Sequence, residues 1–175
     1  NDSFTPYGVL LNKTGVCSSY AGAFKLLAEE AGGECIVVTG YLDGELPHAW
    51  NKVKIDGEWQ IVDSTNNDNE LIFNALLNLP DAAADKVLVE DERYVLDSQL
   101  HSYQANTDEK EYYHINNRFY EQDQITAPLT EELKEEGTAV LRTDYGLSDE
   151  EFMTIAQQAA ERYGADELGG CYWMG

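Results

Sequence analysis

Hydrophobic residues follow two rhythms along this chain. From Cys17 to Gly33, Tyr20, Phe24, Leu27, Ala28 and Ala31 recur at i, i+4, i+7, i+8 and i+11. That spacing predicts a helix with one apolar stripe. Gly32-Gly33 predicts its end, because glycine takes the left-handed backbone at a helix C-terminus without steric cost. Cys17 therefore falls in the first turn or just before it. Residues 1–16 read as a lead-in segment closing in the loop Asn12-Lys13-Thr14-Gly15.

The rhythm then shortens. The β-branched run from Cys35 to Tyr41 predicts a strand, and Leu42 to Pro47 a loop. His48–Ile55, Asp56-Gly57 and Glu58–Thr65 predict a hairpin, since Asp-Gly suits a two-residue turn needing two left-handed positions. Residues 66–70 are polar and read as a loop. Beyond them we expect a strand at 71–77, a short helix starting at 80–87, and short strands at 94–96 and 112–115. The last third predicts a helix over 128–136 and a strand over 138–143. A capping box of Ser148 and Glu151 then opens a helix with Phe152, Ile155, Ala156 and Ala159 on one face. Cys171-Tyr-Trp-Met is expected to be a final strand. This is an α+β chain, with a core over residues 1–124 and a small strand–helix–strand extension over 125–175.

At 175 residues there is room for one domain with an appended lobe. Eleven basic and 33 acidic residues leave a net charge of −22. A nucleic-acid binder needs a basic footprint, which is missing, and the charge disfavours an anionic membrane face. It favours basic or Lys-bearing partners by long-range steering. No apolar run has the length of a membrane span. Cys17, Cys35 and Cys171 are too few for a disulfide framework and form no CxxC pair, so no structural zinc is expected. The acidic runs show no EF-hand spacing. The polar start and abrupt end suggest a segment of a longer protein.

Cys17, His48 and Asp63 carry the candidate chemistry. A cysteine at a helix N-terminus meets the partial positive charge of unpaired N–H groups, which stabilises a thiolate. The same N–H groups can hold an oxyanion. With Ile55 opposite Glu58, Trp50 falls opposite Asp63, and His48 becomes the diagonal neighbour of Asp63 on one face of the ladder. A carboxylate there can orient the imidazole and leave the other ring nitrogen for a thiol. Cys35 reads as core, Cys171 as core or a lobe contact, and His101 and His114 as surface or packed residues. Trp50 and Trp59 read as packing near the site, with Trp50 also able to line an acyl pocket.

Gly15-Val-Cys17-Ser-Ser-Tyr20-Ala21, His48-Ala-Trp50-Asn51 and Gly57-Glu-Trp59-Gln-Ile-Val-Asp63-Ser-Thr65 resemble the three motif blocks of the transglutaminase-like superfamily. Their order and spacing are similar to those of bacterial members, over about residues 7–66. The resemblance implies a papain-like core, its N-terminal catalytic helix packed on an antiparallel sheet. It implies Cys17 as nucleophile, His48 as general acid/base and Asp63 as orienting acid, with Tyr20 and Asn51 as structural supports. It places a second oxyanion donor upstream of the cysteine, where Tyr7 and Asn12 lie. It implies action on amide bonds of proteins or peptides through a thioester, by hydrolysis or acyl transfer, with no cofactor and no metal. The competing reading is a catalytically weak module used for binding or scaffolding in a larger surface protein. Bacterial relatives suggest an extracellular or cell-surface location, although the low cysteine content is compatible with the cytoplasm too.

Overall fold

Thr5 starts the first helix, where its hydroxyl accepts the Gly8 N–H at 3.3 Å and Pro6 occupies the first turn. Helix α1 thus spans Pro6–Asn12, where the sequence predicts only a lead-in. Seven residues are too few for periodicity to register, and Tyr7, Leu10 and Leu11 remain exposed. The computed structural model describes residues 2–70, 72–143 and 147–164. The chain divides into two compact units between Tyr112 and Tyr113, whereas the sequence reading drew its boundary after residue 124.

In the first unit, α2 (Cys17–Glu30) is followed by β1 (Glu34–Leu42), β2 (Leu46–Ile55) and β3 (Glu58–Val62). Then come α3 (Ser64–Asn67), β4 (Leu77–Leu79), α4 (Asp81–Ala84), β5 (Leu88–Glu90) and α5 (Glu92–Leu96). The five strands form one sheet in the order β4-β3-β2-β1-β5, and every pairing is antiparallel. Asp56 and Gly57 both have positive φ (53° and 89°), the turn geometry Asp-Gly favours. It sets Ile55 against Glu58, and the register runs on to Asn51 against Val62. Helix α2 packs Phe24 and Ala28 on Cys35, Val53 and Val62 of the sheet. Ile61, Leu79 and Leu88 are almost fully buried. Truncating any one to alanine costs about 2–5 kcal/mol.

Several expected strands become helices or turns. The second arm of the hairpin stops at Val62 instead of Thr65, because Asp63 accepts the N–H groups of Thr65 and Asn66 and caps α3. Capping chemistry outcompetes the ladder in a Ser-Thr-Asn-Asn run. The strand expected at 71–77 lies instead at Leu77–Leu79, behind a turn in which Asn67 clasps both backbone groups of Leu76. Residue 71 is outside the described residues. Tyr94–Leu96 belongs to α5, since Asp91 caps that helix through the Tyr94 N–H at 2.7 Å. Tyr112–Ile115 is a helical turn, α6. Three or four β-formers cannot by themselves specify a strand, because strand pairing depends on a partner.

The second unit contains α7 (Thr126–Glu136) and α8 (Asp149–Tyr163), packed together. Ser148 and Glu151 form the expected capping box, and the Ser148 hydroxyl and N–H pull the Glu151 carboxyl down to about 2. The strand expected at 138–143 is reduced to one isolated bridge between Phe119 and Arg142. The strand expected at 171–174 lies outside the described residues. The described part of the extension is therefore a helix pair, and the strand–helix–strand expectation is corrected to that extent.

Candidate active site

Cys17 is the first residue of α2, and Val16 before it is extended. The buried Ser19 hydroxyl accepts the Val16 N–H at 2.8 Å and lies 2.9 Å from the Ser3 carbonyl, which ties down the approach to the helix. The Ser19 and Tyr20 N–H groups turn back to the Val16 carbonyl. None of the described hydrogen bonds uses the N–H of Cys17 or Ser18, so two donors stand free beside the sulfur.

β2 carries His48, and Asp63 sits where β3 gives way to α3. His48 Nε2 and Asp63 Oδ2 are 2.7 Å apart, and both side chains are buried. The contact is the one the hairpin register implies. Asp63 is saturated with donors: Oδ1 accepts Thr65 and Asn66 N–H at 3.1 and 3.2 Å, and Oδ2 accepts the Asn66 amide at 2.5 Å. A carboxylate held this way is an acceptor only. It orients Nε2–H toward itself and leaves Nδ1 as the basic nitrogen. Asn66 Nδ2 also lies 3.4 Å from Nε2. Two donors cannot bond each other, so the Asn66 amide serves the carboxylate.

Cys17 and His48 line one cleft of about 300 Å³. Ser18 stands on the α2 side, and Thr39 and Tyr41 from β1 with Pro47 from β2 form its other walls. A larger cavity, about 820 Å³, lies within the second unit and holds none of the three candidate residues.

Trp50 does not line the cleft, contrary to one of the two sequence readings. It is 1% exposed and stacks on the His48 ring, with centroids 6.2 Å apart. Its edge lies over Gly40, where an added Cβ would meet Trp50 Cη2 at 2.7 Å and the Val89 carbonyl closer still. Glycine at position 40 thus lets the indole fill the space beneath the cleft. Tyr7 is exposed on α1 and is not among the residues lining the cleft, and the Asn12 amide donates to Asp2 at 3.3 Å.

The motif residues Asn51 and Tyr20 both cross-link elements. Asn51, fully buried, donates to the carbonyls of Ala21 and Ile36 at 3.0 and 3.1 Å. The Tyr20 hydroxyl donates to Asp68 at 2.8 Å, joining α2 to the segment after Asp63. Trp59 packs edge-on against Tyr103. Cys35 is buried, and burial pushes its thiol up to about 11, which makes it inert near neutrality. His101 is exposed, His114 stacks on Phe119, and Cys171 lies outside the described residues. Among the described residues, no group of three or more His, Cys, Asp or Glu is placed to hold a metal. No described helix is long and apolar enough to cross a membrane. Asn66 escaped the sequence reading; its one signal is its place three residues after an aspartate, within capping reach.

A family profile described as "Transglutaminase-like superfamily" matches residues 1–64, a span that includes Cys17, His48 and Asp63. Residues 1–64 belong to the transglutaminase-like superfamily. Members of this superfamily are generally thiol-dependent enzymes. The chain is similar to the Kyphoscoliosis peptidase of Mus musculus, 36% identical over 74 residues, covering 36% of this chain and 11% of that protein. The same figures hold for the Kyphoscoliosis peptidase of Homo sapiens. The chain therefore spans about a tenth of the length of these curated relatives. A solved structure described as "Crystal structure of a TGase" matches with 21% identity over 36% of this chain and 17% of that chain, at a TM-score of 0.34.

Proposed function

We propose that this transglutaminase-like chain is a thiol-dependent enzyme acting on amide bonds of proteins or peptides, with Cys17 as nucleophile, His48 as general acid/base and Asp63 as orienting acid. The observation that carries the reading is the buried His48–Asp63 pair at 2.7 Å, opening on the cleft that Cys17 also lines. The free N–H groups of Cys17 and Ser18 support it, as does the peptidase name of the partial relatives.

In the first half-reaction His48 Nδ1 takes the thiol proton as Cys17 Sγ bonds to the carbonyl carbon. The carbonyl oxygen becomes an oxyanion facing the free N–H groups at the head of α2, where each such donor is worth roughly 10²–10³ in rate. The C–N bond then breaks, His48 returns its proton to the leaving amine, and a thioester remains on Cys17. In the second half-reaction water, or a primary amine, loses a proton to His48 and attacks the thioester carbon. The C–S bond breaks, and the sulfur recovers the proton. Asp63 stays ionised throughout and stabilises the imidazolium.

A peptide library incubated with and without a primary amine, wild type beside Cys17→Ala, tests the reading by mass spectrometry. Cys17-dependent cleavage or deamidation marks hydrolysis, and a Cys17-dependent amine adduct marks transfer. A wild-type spectrum matching that of Cys17→Ala under all conditions would overturn the enzyme reading and leave the binding or scaffolding module in its place.

A further inference from the structure

Asp91 lines the same cleft as Cys17 and His48, yet the reaction above gives it no task. It is the one carboxylate among the described residues lining that cleft, and no lysine or arginine lines it. Two elements hold it. Oδ1 accepts the Tyr94 N–H at 2.7 Å, and Oδ2 accepts the Thr39 hydroxyl at 3.0 Å. The Tyr94 N–H, helped by Thr39 and Arg93, holds the Asp91 carboxyl below the usual carboxylate range. A fixed anion thus stands at the cleft wall. Its neighbour Glu90 is already matched by the buried Lys52 ammonium at 2.7 Å. The cation near Asp91 is Arg93, whose Nη2 lies 3.4 Å from Oδ2 on a side chain that is 86% exposed. Such an exposed pair is weak and screened by solvent, so an incoming cation can displace it. Tyr41 and Pro47 add an apolar wall beside this charge.

We propose that Asp91 is a specificity-determining residue that recognises a Lys or Arg side chain of the substrate close to the attacked carbonyl. The cationic head meets the carboxylate, and the aliphatic stem lies along Tyr41 and Pro47. The assignment rests on the reading of Cys17 as nucleophile. The rival account is that Asp91 does no more than cap α5. Asp91→Asn separates the two, because its amide oxygen can still accept the Tyr94 N–H while the charge is gone.

The experiment uses the whole chain and two readouts. The first is the rate of Cys17 modification by aminoethyl and by sulfonatoethyl methanethiosulfonate, followed on the Cys17 peptide by mass. The cation-to-anion rate ratio should fall about tenfold in Asp91→Asn, as expected from removing one charge at short range. Glu30→Gln, which makes the same change in net charge at the far end of α2, should change it by less than about twofold. The second readout is kcat/KM for peptides carrying Lys or norleucine at each position flanking the attacked bond. Lys should be preferred at one position, by a margin that Asp91→Asn reduces roughly 10- to 100-fold, the worth of a charged hydrogen bond. Arg93→Gln should widen that preference. A ratio and a preference in Asp91→Asn matching those of Glu30→Gln would overturn the proposal and leave Asp91 as a cap. If wild type turns over no peptide, the nucleophile reading fails, and the modification ratio still decides whether Asp91 presents its charge to cations at the cleft.

Discussion

Strand β2 carries two buried side chains four residues apart, each bonded to an acid, and they are built for opposite ends. Lys52 is 3% exposed, with Nζ 2.9 Å from Asp81 and 2.7 Å from Glu90 and the Tyr94 ring 5.6 Å away. Its ammonium is held between two carboxylates and faces that ring, so the group ties β2 to α4 and β5. His48 is nearly as buried, but Asp63 occupies one ring nitrogen, and the residue also lines a cleft. A closed pairing is mechanical support, whereas one that leaves a basic nitrogen beside a cleft can move a proton. Burial and an acidic partner are common to both; the unfilled valence is what separates them.

The sharpest test of that contrast exchanges loss of chemistry for loss of stability. Cys17→Ala and His48→Ala should each cut Cys17-dependent turnover by about 10⁴-fold or more, as removal of a member of such a unit does. Their urea midpoints should stay close to wild type for Cys17→Ala. Lys52→Ala should show the reverse, with a loss of about 3–5 kcal/mol in urea unfolding from the stranded Asp81 and Glu90 charges. A Lys52→Ala protein of wild-type stability would break the comparison.

Asp63→Asn sharpens it. The amide keeps the shape but can also donate to Nε2, which misdirects the tautomer and should lower kcat about 10³-fold with little change in KM. A smaller contrast separates the two described cysteines. Cys17 should be alkylated by iodoacetamide at neutral pH, while Cys35 stays protected in the folded chain. The folded Cys35 thiol titrates at about 11, above the value of about 8.5 in an unfolded chain. Its contribution is therefore fully present below about pH 8.5 and fades as pH rises toward 11, by an amount on the order of 3 kcal/mol. Urea titrations across that window should show the decline in wild type and lose it in Cys35→Val. Tyr20→Phe should have the smallest effect, about 0.5–1.5 kcal/mol, from losing the Asp68 bond.

The helix behind Cys17, the Asp-Gly hairpin and the helix over 149–163 were legible because each combines a periodic apolar face with its own stop or cap. The short elements were not. Tyr94–Leu96 and Tyr112–Ile115 have strand-forming residues but too few of them, and a single cap at Asp91 decided the first. Trp50 was ambiguous because an aromatic beside a catalytic motif can pack or bind. Only the neighbouring Gly40, across the sheet, shows which.

What the residue order alone determined was the local chemistry: a sulfur at a helix start, a tight turn and the register that follows from it. Those features depend on backbone preferences and on side chains a few positions apart, and local rules are written along the chain. The tertiary structure decided what lies across space. It brought α2 to the mouth of the cleft, set the helix cap Asp91 on the cleft wall, and sealed Lys52 while leaving His48 open. These outcomes depend on which distant surfaces meet and which polar atoms are left over, and that is settled only when the whole sheet has packed.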